Sequence, residues 1–336
     1  MDSPPRNAVI LPLNGLGVLA VRGPDARRFL NGQLSQEVLT LDDATVRLAG
    51  LHNPQGRVLA VLRLVAWADD VILCVLPRTA IAEIRASLAR YLLRAKATLT
   101  DESDAWRIEG LWPDGAGAGP DAARDGIEGL GGARREAGTI GWRHAADGRR
   151  LRLSPLASTD AATAAAPHAG AQHAGARDED LGRAAWRLAD IAAGLPDIHP
   201  ATRGAFVAQM LNLDVLGGIS FTKGCYTGQE VIARAHYRGR VKRRLQRFEA
   251  AWPAGRALPA PGETLRLADG RAAQVVDAAL RPDGALEFLA VAPHAAVADD
   301  APTGGAEETG AVRPDGTDAT DRLEATPLPL PYALPD

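Results

Sequence analysis

The chain has 336 residues, 46% of them apolar, and a formal net charge of -3. That is enough to bury a sizeable core in two or three domains, and it argues against a chain that binds polyanions through an overall basic character. Aromatic residues make up 4%, so Leu, Val and Ala must fill the core, and two cysteines cannot build a disulfide framework or a four-thiolate cluster site from one chain.

The N-terminal MDSPPRNAVI carries neither the basic region nor the apolar core of a signal peptide, and no run approaches the roughly 18 apolar residues of a membrane helix. A cytoplasmic enzyme or binding protein, with no membrane partner, is the expectation. VLAVRG (18–23) predicts a strand ending at the Gly23-Pro24 turn. Asp25 is placed to cap a short helix bearing Phe29 and Leu30. Residues 44–77 hold three strands of an antiparallel meander, with turns at Asn53–Gly56 and Asp69-Asp70. Cys74 lies in the second apolar run, VILCVL, as a small buried hydrophobe. RTAIAEIRASLARYLLRAKATL (78–99) predicts a helix with Ile81, Ile84, Leu88 and Leu92 on one face, and WRIEGL (106–111) a strand.

Insertions rich in Ala, Gly and Asp are expected at about 112–135 and 155–178, on either side of a hairpin turning at Asp147-Gly148. His168 and His173 lie in the second insertion and read as solvated side chains, so no metal site is assigned. A helix is expected from 179 to the Gly194–Pro196 turn. VKRRLQRFEA then forms an alternating strand, and at least three short strands in 261–293 suggest a small barrel. Beyond 296 the acidic, Gly- and Pro-rich composition predicts a disordered tail.

The chemistry concentrates in FTKGCYTGQE (221–230). Gly224 and Gly228 permit a tight bend around Cys225, and Lys223 can favour a thiolate there. A functional thiol and a structural bend with an incidental cysteine are both open on these residues. The stretch lacks the glycine spacing of a P-loop and the second cysteine of a redox pair. Arg234, Arg238, Arg240, Lys242, Arg243, Arg244 and Arg247 follow, with His236 and Tyr237 among them. They read as a solvated face or as a patch for phosphate, a polyglutamate tail or RNA.

Lys223, Gly224, Cys225, Tyr226, Gly228, Gln229 and Glu230 match the Lys-Gly-Cys-(Tyr/Phe)-x-Gly-Gln-Glu hallmark of the YgfZ family of folate-binding, tRNA-modification-associated proteins. The flanking 194–239, with Gln209, Asn212 and Leu213, and the segments 23–38 and 51–58 resemble the family as well, so the resemblance spans roughly 10–295. It implies an α+β fold like that of the glycine cleavage T-protein, an aminomethyltransferase. Two interlocked domains (10–238) would surround a folate-sized opening, followed by a C-terminal β-barrel (239–295) and the tail (296–336).

The resemblance further implies tetrahydrofolate or a derivative as cofactor. Trp186 would contact it just ahead of the Gly194–Pro196 turn, unless that indole is a core anchor, and Leu16 would contact it from the first strand. Gln209, Tyr226, Gln229 and Glu230 are assigned to the same site, with Cys225 as the reactive thiol and Lys223 tuning it. Residues 56–61 and Ala192 lack the carboxylates of the transferase relatives, which speaks against aminomethyl transfer. The resulting expectation is a monomeric, folate-binding accessory protein that meets iron–sulfur clients or assembly proteins and affects tRNA modification. The alternatives are a one-carbon transferase with an unknown acceptor and a non-enzymatic protein contacting RNA through Arg234–Arg247.

Overall fold

In the computed structural model the described residues are 9–112, 131–136, 138–156, 176–239, 241–294 and 322–335. After a short strand β1 (Val9–Pro12), β2 (Leu16–Arg22) is apolar at almost every position, the pattern of a strand covered on both faces. Leu19 and Val21 enter one buried cluster, Val18 and Ala20 another. β2 lies in an antiparallel sheet ordered β3-β4-β5-β2-β6, with β3 (Val46–His52), β4 (Val58–Ala68), β5 (Val71–Pro77) and β6 (Thr98–Asp101). The expected meander is therefore present. Helices α1 (Ala26–Gln33) and α2 (Ile81–Ala89) cover one face with Phe29, Leu30, Ile81, Ile84 and Leu88, packed on Leu62, Leu64, Ile72 and Cys74.

The opposite face meets a second antiparallel sheet ordered β1-β7-β10-β9-β8, made with β7 (Trp106–Trp112), β8 (Ala133–Glu136), β9 (Thr139–Arg143) and β10 (Arg150–Pro155). β9 and β10 form the expected hairpin. α3 (Ala176–Ala192) lays the Trp186 indole across β7 at Gly110, where a Cβ would stand 2.5 Å from the ring. A third sheet, ordered β12-β13-β14-β11-β15, contains β11 (Arg243–Ala250), β12 (Thr264–Arg266), β13 (Ala272–Leu280), β14 (Leu286–Pro293) and β15 (Ala325–Leu328). Between the second and third sheets in sequence lies α4 (Gln229–Arg238).

Four expectations are corrected. The third sheet is not a closed barrel: among the described residues its ladders run from β12 to β15 without returning, and only an isolated bridge between Leu267 and Leu323 relates the two ends. The helix expected over 78–99 ends at Ala89, since Leu93 turns to φ 39° and residues 98–101 pair with β2 as β6, satisfying an edge that a longer helix would leave bare. Asp25 stands at the N-cap position of α1, but its carboxylate accepts the Lys96 backbone N–H at 2.7 Å instead of capping the helix.

The fourth correction concerns the tail. Residues 322–335 are ordered and add β15 to the outer edge of β11. Tyr332 is buried, and its hydroxyl donates to the Gly194 carbonyl at 2.7 Å and faces the Asn212 amide at 3.4 Å. Composition averaged over 296–336 hid this strand. A bare β11 edge supplies the unpaired backbone groups that order it. Tyr332→Ala is expected to destabilise the protein by about 3 kcal/mol through loss of a buried ring, read by urea unfolding. A chain ending at Asp300 should melt well below the full chain. Equal melting would show that the terminal strand is dispensable.

Candidate functional site

The hallmark segment is anchored at two places far from it in sequence, the β3–β4 turn of the first sheet and the end of α1. Gly228 precedes α4 with φ 81°, a conformation suited to glycine, and a Cβ there would come within 2.5 Å of the Asn53 carbonyl. Gly56 of the same β3–β4 turn faces Val231 of α4 at 2.8 Å by the same measure. Gly224 has open space around it, so the bend depends on Gly228 and not on both glycines.

Lys223 supplies the second anchor. Its ammonium donates to the carbonyls of Asn31, Leu34 and Gln36 at 2.5, 2.7 and 3.0 Å, closing the C-terminal end of α1. Burial pushes this ammonium down to about 8, with Glu37 pulling it back up. It also lies 5.0 Å from the centre of the Tyr226 ring. Tyr226 is half-buried, and burial pushes its phenol up to about 12. The Gln229 side chain accepts the Tyr226 backbone N–H at 3.1 Å, and exposed Glu230 occupies the first turn of α4, where a carboxylate suits the helix dipole. Cys225 is exposed, whereas Cys74 is fully buried and its thiol is pushed up to about 12.

A cavity of about 210 Å³ opens between β3 and β4 of the first sheet, β9 of the second, and the loops at 195–196 and 216–217. Its walls combine Val46, Leu48, Leu195 and Leu216 with Trp142, His144, Arg47, Arg63 and Arg143, the guanidinium of Arg47 donating to the carbonyls of Glu37 and Thr40 and that of Arg143 to the carbonyl of Ala146. Arg63 is buried in β4 and pairs with Asp197 at 3.3 Å. The loop at 217–220 is tied to the residues after α1. Ser35 donates to the Gly218 carbonyl at 2.6 Å, and the Gln36 amide to that of Gly217 at 2.6 Å.

Behind His144 lies a buried network. The His144 ring stacks on Trp186 at 5.6 Å, and its Nε2 sits 3.0 Å from Asp190. Arg149, fully buried, donates to Asp190 at 2.7 Å and lies 4.6 Å from the centre of the Trp186 ring. Burial raises the Asp190 carboxyl, but the charges of Arg149 and His144 outweigh it and hold the group well below the usual carboxylate range.

The expected folate contacts are not gathered at this cavity. Trp186 stands one ring behind its wall, and Leu16 packs into the core between the two sheets. Buried Gln209 donates to the Ile232 carbonyl at 2.7 Å and tethers α4. Tyr226, Gln229 and Glu230 belong to the hallmark bend. Sequence reasoning missed Trp142, His144 and Arg63; an arginine inside the apolar run of β4 was the available signal. It also gave no weight to His52, which is buried with neither ring nitrogen hydrogen-bonded and whose ring centre lies 6.3 Å from that of Tyr226.

The basic run divides. Arg244 is buried on Asp214 at 2.9 Å, Arg247 pairs with Glu287 at 2.7 Å, and Arg243 is half-buried and donates to the Val291 carbonyl at 3.4 Å. Arg234, Arg238 and Lys242 remain exposed, while Arg240, like His168 and His173, lies outside the described residues. Among the described residues no cluster of His, Cys, Asp or Glu could hold a metal, and no helix is long and apolar enough to cross a membrane.

Thiol reagents are expected to modify Cys225 in the folded protein and Cys74 only after unfolding, which mass spectrometry of the labelled peptides checks. Lys223→Ala should lower stability by about 2 kcal/mol, because three carbonyls lose a charged donor, yet leave the labelling rate of Cys225 unchanged. A slowed rate would place the ammonium at the thiol. Burial lowers His52 from 6.5 to about 3. The unfolded chain therefore binds the extra proton between those values, and folding stability falls as pH drops through that window, by up to ~1.4 kcal/mol per pH unit from this group. His52→Leu should make that acid dependence shallower in urea titrations; an unchanged slope would show that the imidazole is not buried neutral.

No family model matches the chain. A tRNA-modifying protein YgfZ of Edwardsiella ictaluri is 32% identical over 352 aligned positions, covering 98% of this chain and 96% of its own length. The protein of that name from Serratia proteamaculans is 29% identical over 336 positions, covering 96% and 93%, and that of Klebsiella pneumoniae 29% over 289, covering 82% and 83%. The solved glycine cleavage system aminomethyltransferase T of Bartonella henselae matches with a TM-score of 0.60 over 86% of this chain and 79% of its own, at 17% identity. That likeness is one of fold, an α+β two-domain architecture, and does not make the chain that enzyme. With identity of this level extending from end to end, and with the hallmark bend intact, the chain belongs to the YgfZ family.

Proposed function

We propose that the chain is a folate-binding accessory protein for iron–sulfur cluster assembly or repair, affecting tRNA modification by that route, with Cys225 as its functional thiol. Membership in a family whose relatives are named tRNA-modifying proteins supports the setting. The cavity is the observation that carries the ligand. At about 210 Å³ it falls below the 300–1,000 Å³ of pockets that engulf a drug-sized molecule, so it suits a flat ring with the remainder of the ligand outside. Trp142 and His144 offer flat rings to a pterin, and Arg47, Arg63 and Arg143, although each is hydrogen-bonded within the chain, give the wall a positive charge that suits the anionic tail of tetrahydrofolate or a derivative. When bound, the folate would carry a one-carbon unit.

Among the described residues the cavity wall contains no carboxylate, and the sequence offers none at 56–61. Nothing at the wall can serve as the carboxylate base that an aminomethyl transfer requires. This favours a carrier or sensor of folate over a transferase. A monomer acting in the cytoplasm on iron–sulfur clients belongs to the same reading.

Titrating tetrahydrofolate by calorimetry, with tryptophan fluorescence in parallel, should give saturable binding. Leu216→Trp, which fills the cavity, should weaken it at least about tenfold, whereas Trp186→Phe should not. No heat at high micromolar ligand would overturn the assignment. In a strain lacking the native gene, Cys225→Ser at matched protein level should fail to restore cluster-dependent enzyme activity; full rescue would make the cysteine incidental.

A further inference from the structure

The exposed end of α4 carries a feature with no role in the cavity. Phe221 stacks on His236 with ring centres 3.7 Å apart and planes at 15°. Tyr237 stands edge-on to both, 4.7 Å from His236 and 6.2 Å from Phe221, and is 67% exposed. Arg234 and Arg238 are spaced to share the face that bears Tyr237. Both are exposed and have no ion-pair or hydrogen-bond partner among the described residues. With Ala233 and Tyr237 they line an open depression of about 600 Å³ that shares no residue with the cavity. Exposed Lys242 follows the helix, and Glu230, one turn before Arg234, is its only carboxylate.

We infer that this face of α4 binds single-stranded nucleic acid, with a base stacking on Tyr237 and phosphates meeting Arg234 and Arg238. Two unpaired guanidinium groups one helical turn apart are complementary to a phosphate backbone. An exposed phenol ring, braced from behind by two further rings, gives a base a rigid surface to stack on. An acidic peptide would use the cations and leave the rings idle. A lipid surface would call for apolar side chains at the tip, where the structure has arginines. Arg243, Arg244 and Arg247, already paired within the third sheet, are not part of the surface. The inference is independent of what occupies the cavity.

Fluorescence anisotropy with labelled oligoriboadenylate and oligodeoxyadenylate, each about 12 nucleotides long, tests it and distinguishes RNA from DNA as the source. Saturable, salt-sensitive binding of either is expected. Arg234→Ala with Arg238→Ala should weaken it at least about tenfold and flatten the dependence of log K on log salt by about 1.4, at roughly 0.7 per phosphate lost. Tyr237→Ser should weaken it about tenfold at unchanged slope, and Tyr237→Phe should bind like the parent. All three positions are exposed, and melting curves matched to the parent confirm that folding is kept. No saturable binding, full binding by Tyr237→Ser, or equal displacement by polyglutamate would each overturn the inference.

Discussion

The Lys223 ammonium and the carbonyls at the end of α1 are separated by up to 192 residues in sequence, yet they form the hydrogen bonds on which the rest of the site depends. Three carbonyl oxygens, from the last turn of α1 to three residues beyond its end, converge on one cation. The segment carrying that cation is thereby fixed in place, with Gly228 seated against the Asn53–Gly56 turn. Ser35 and Gln36, immediately after α1, hold the loop at 217–218 by the same device of side chain to backbone. One short stretch therefore positions both the thiol-bearing bend and a wall of the cavity.

This arrangement separates two roles that a reading of the hallmark alone merges. Lys223, Gln229 and Gly228 build the bend, while Cys225 and Glu230 are left exposed at its surface. The cavity is assembled from other parts of the chain, among them an arginine within β4 and a histidine at the end of β9 whose ring is backed by Trp186, Asp190 and Arg149. A buried network of this kind holds an imidazole in one orientation. Its effect is on the shape and charge of the wall.

Much of the layered core was legible from local pattern. The meander of β3 to β5 was marked by apolar runs broken at Asn53–Gly56 and Asp69-Asp70, and the hairpin of β9 and β10 by Asp147-Gly148. What escaped depended on partners distant in sequence. The apolar face expected to continue to Leu92 gave way after Ala89, because the backbone of β2 needed a neighbour in residues 98–101. Trp186 carries the same sequence signal whether it meets a ligand or a glycine on β7, and the packing of its ring over Gly110 could be seen only in the fold. The strand at 325–328 vanished into an acidic, Gly-rich average, although Leu330 and Tyr332 beyond it are the residues that dock.

That docking has a consequence for the order in which the molecule completes itself. Leu195 and Pro196 belong to the cavity wall, and the Gly194 carbonyl beside them accepts the Tyr332 hydroxyl. Tyr332 lies 138 residues beyond Gly194 in sequence. During synthesis the first two sheets can pack before Tyr332 has been made, and the turn that borders the cavity gains this hydrogen bond only afterwards. The border of the cavity is thus completed by a residue made long after the rest of the wall, and a copy lacking Tyr332 presents that cavity with the Gly194 turn untethered.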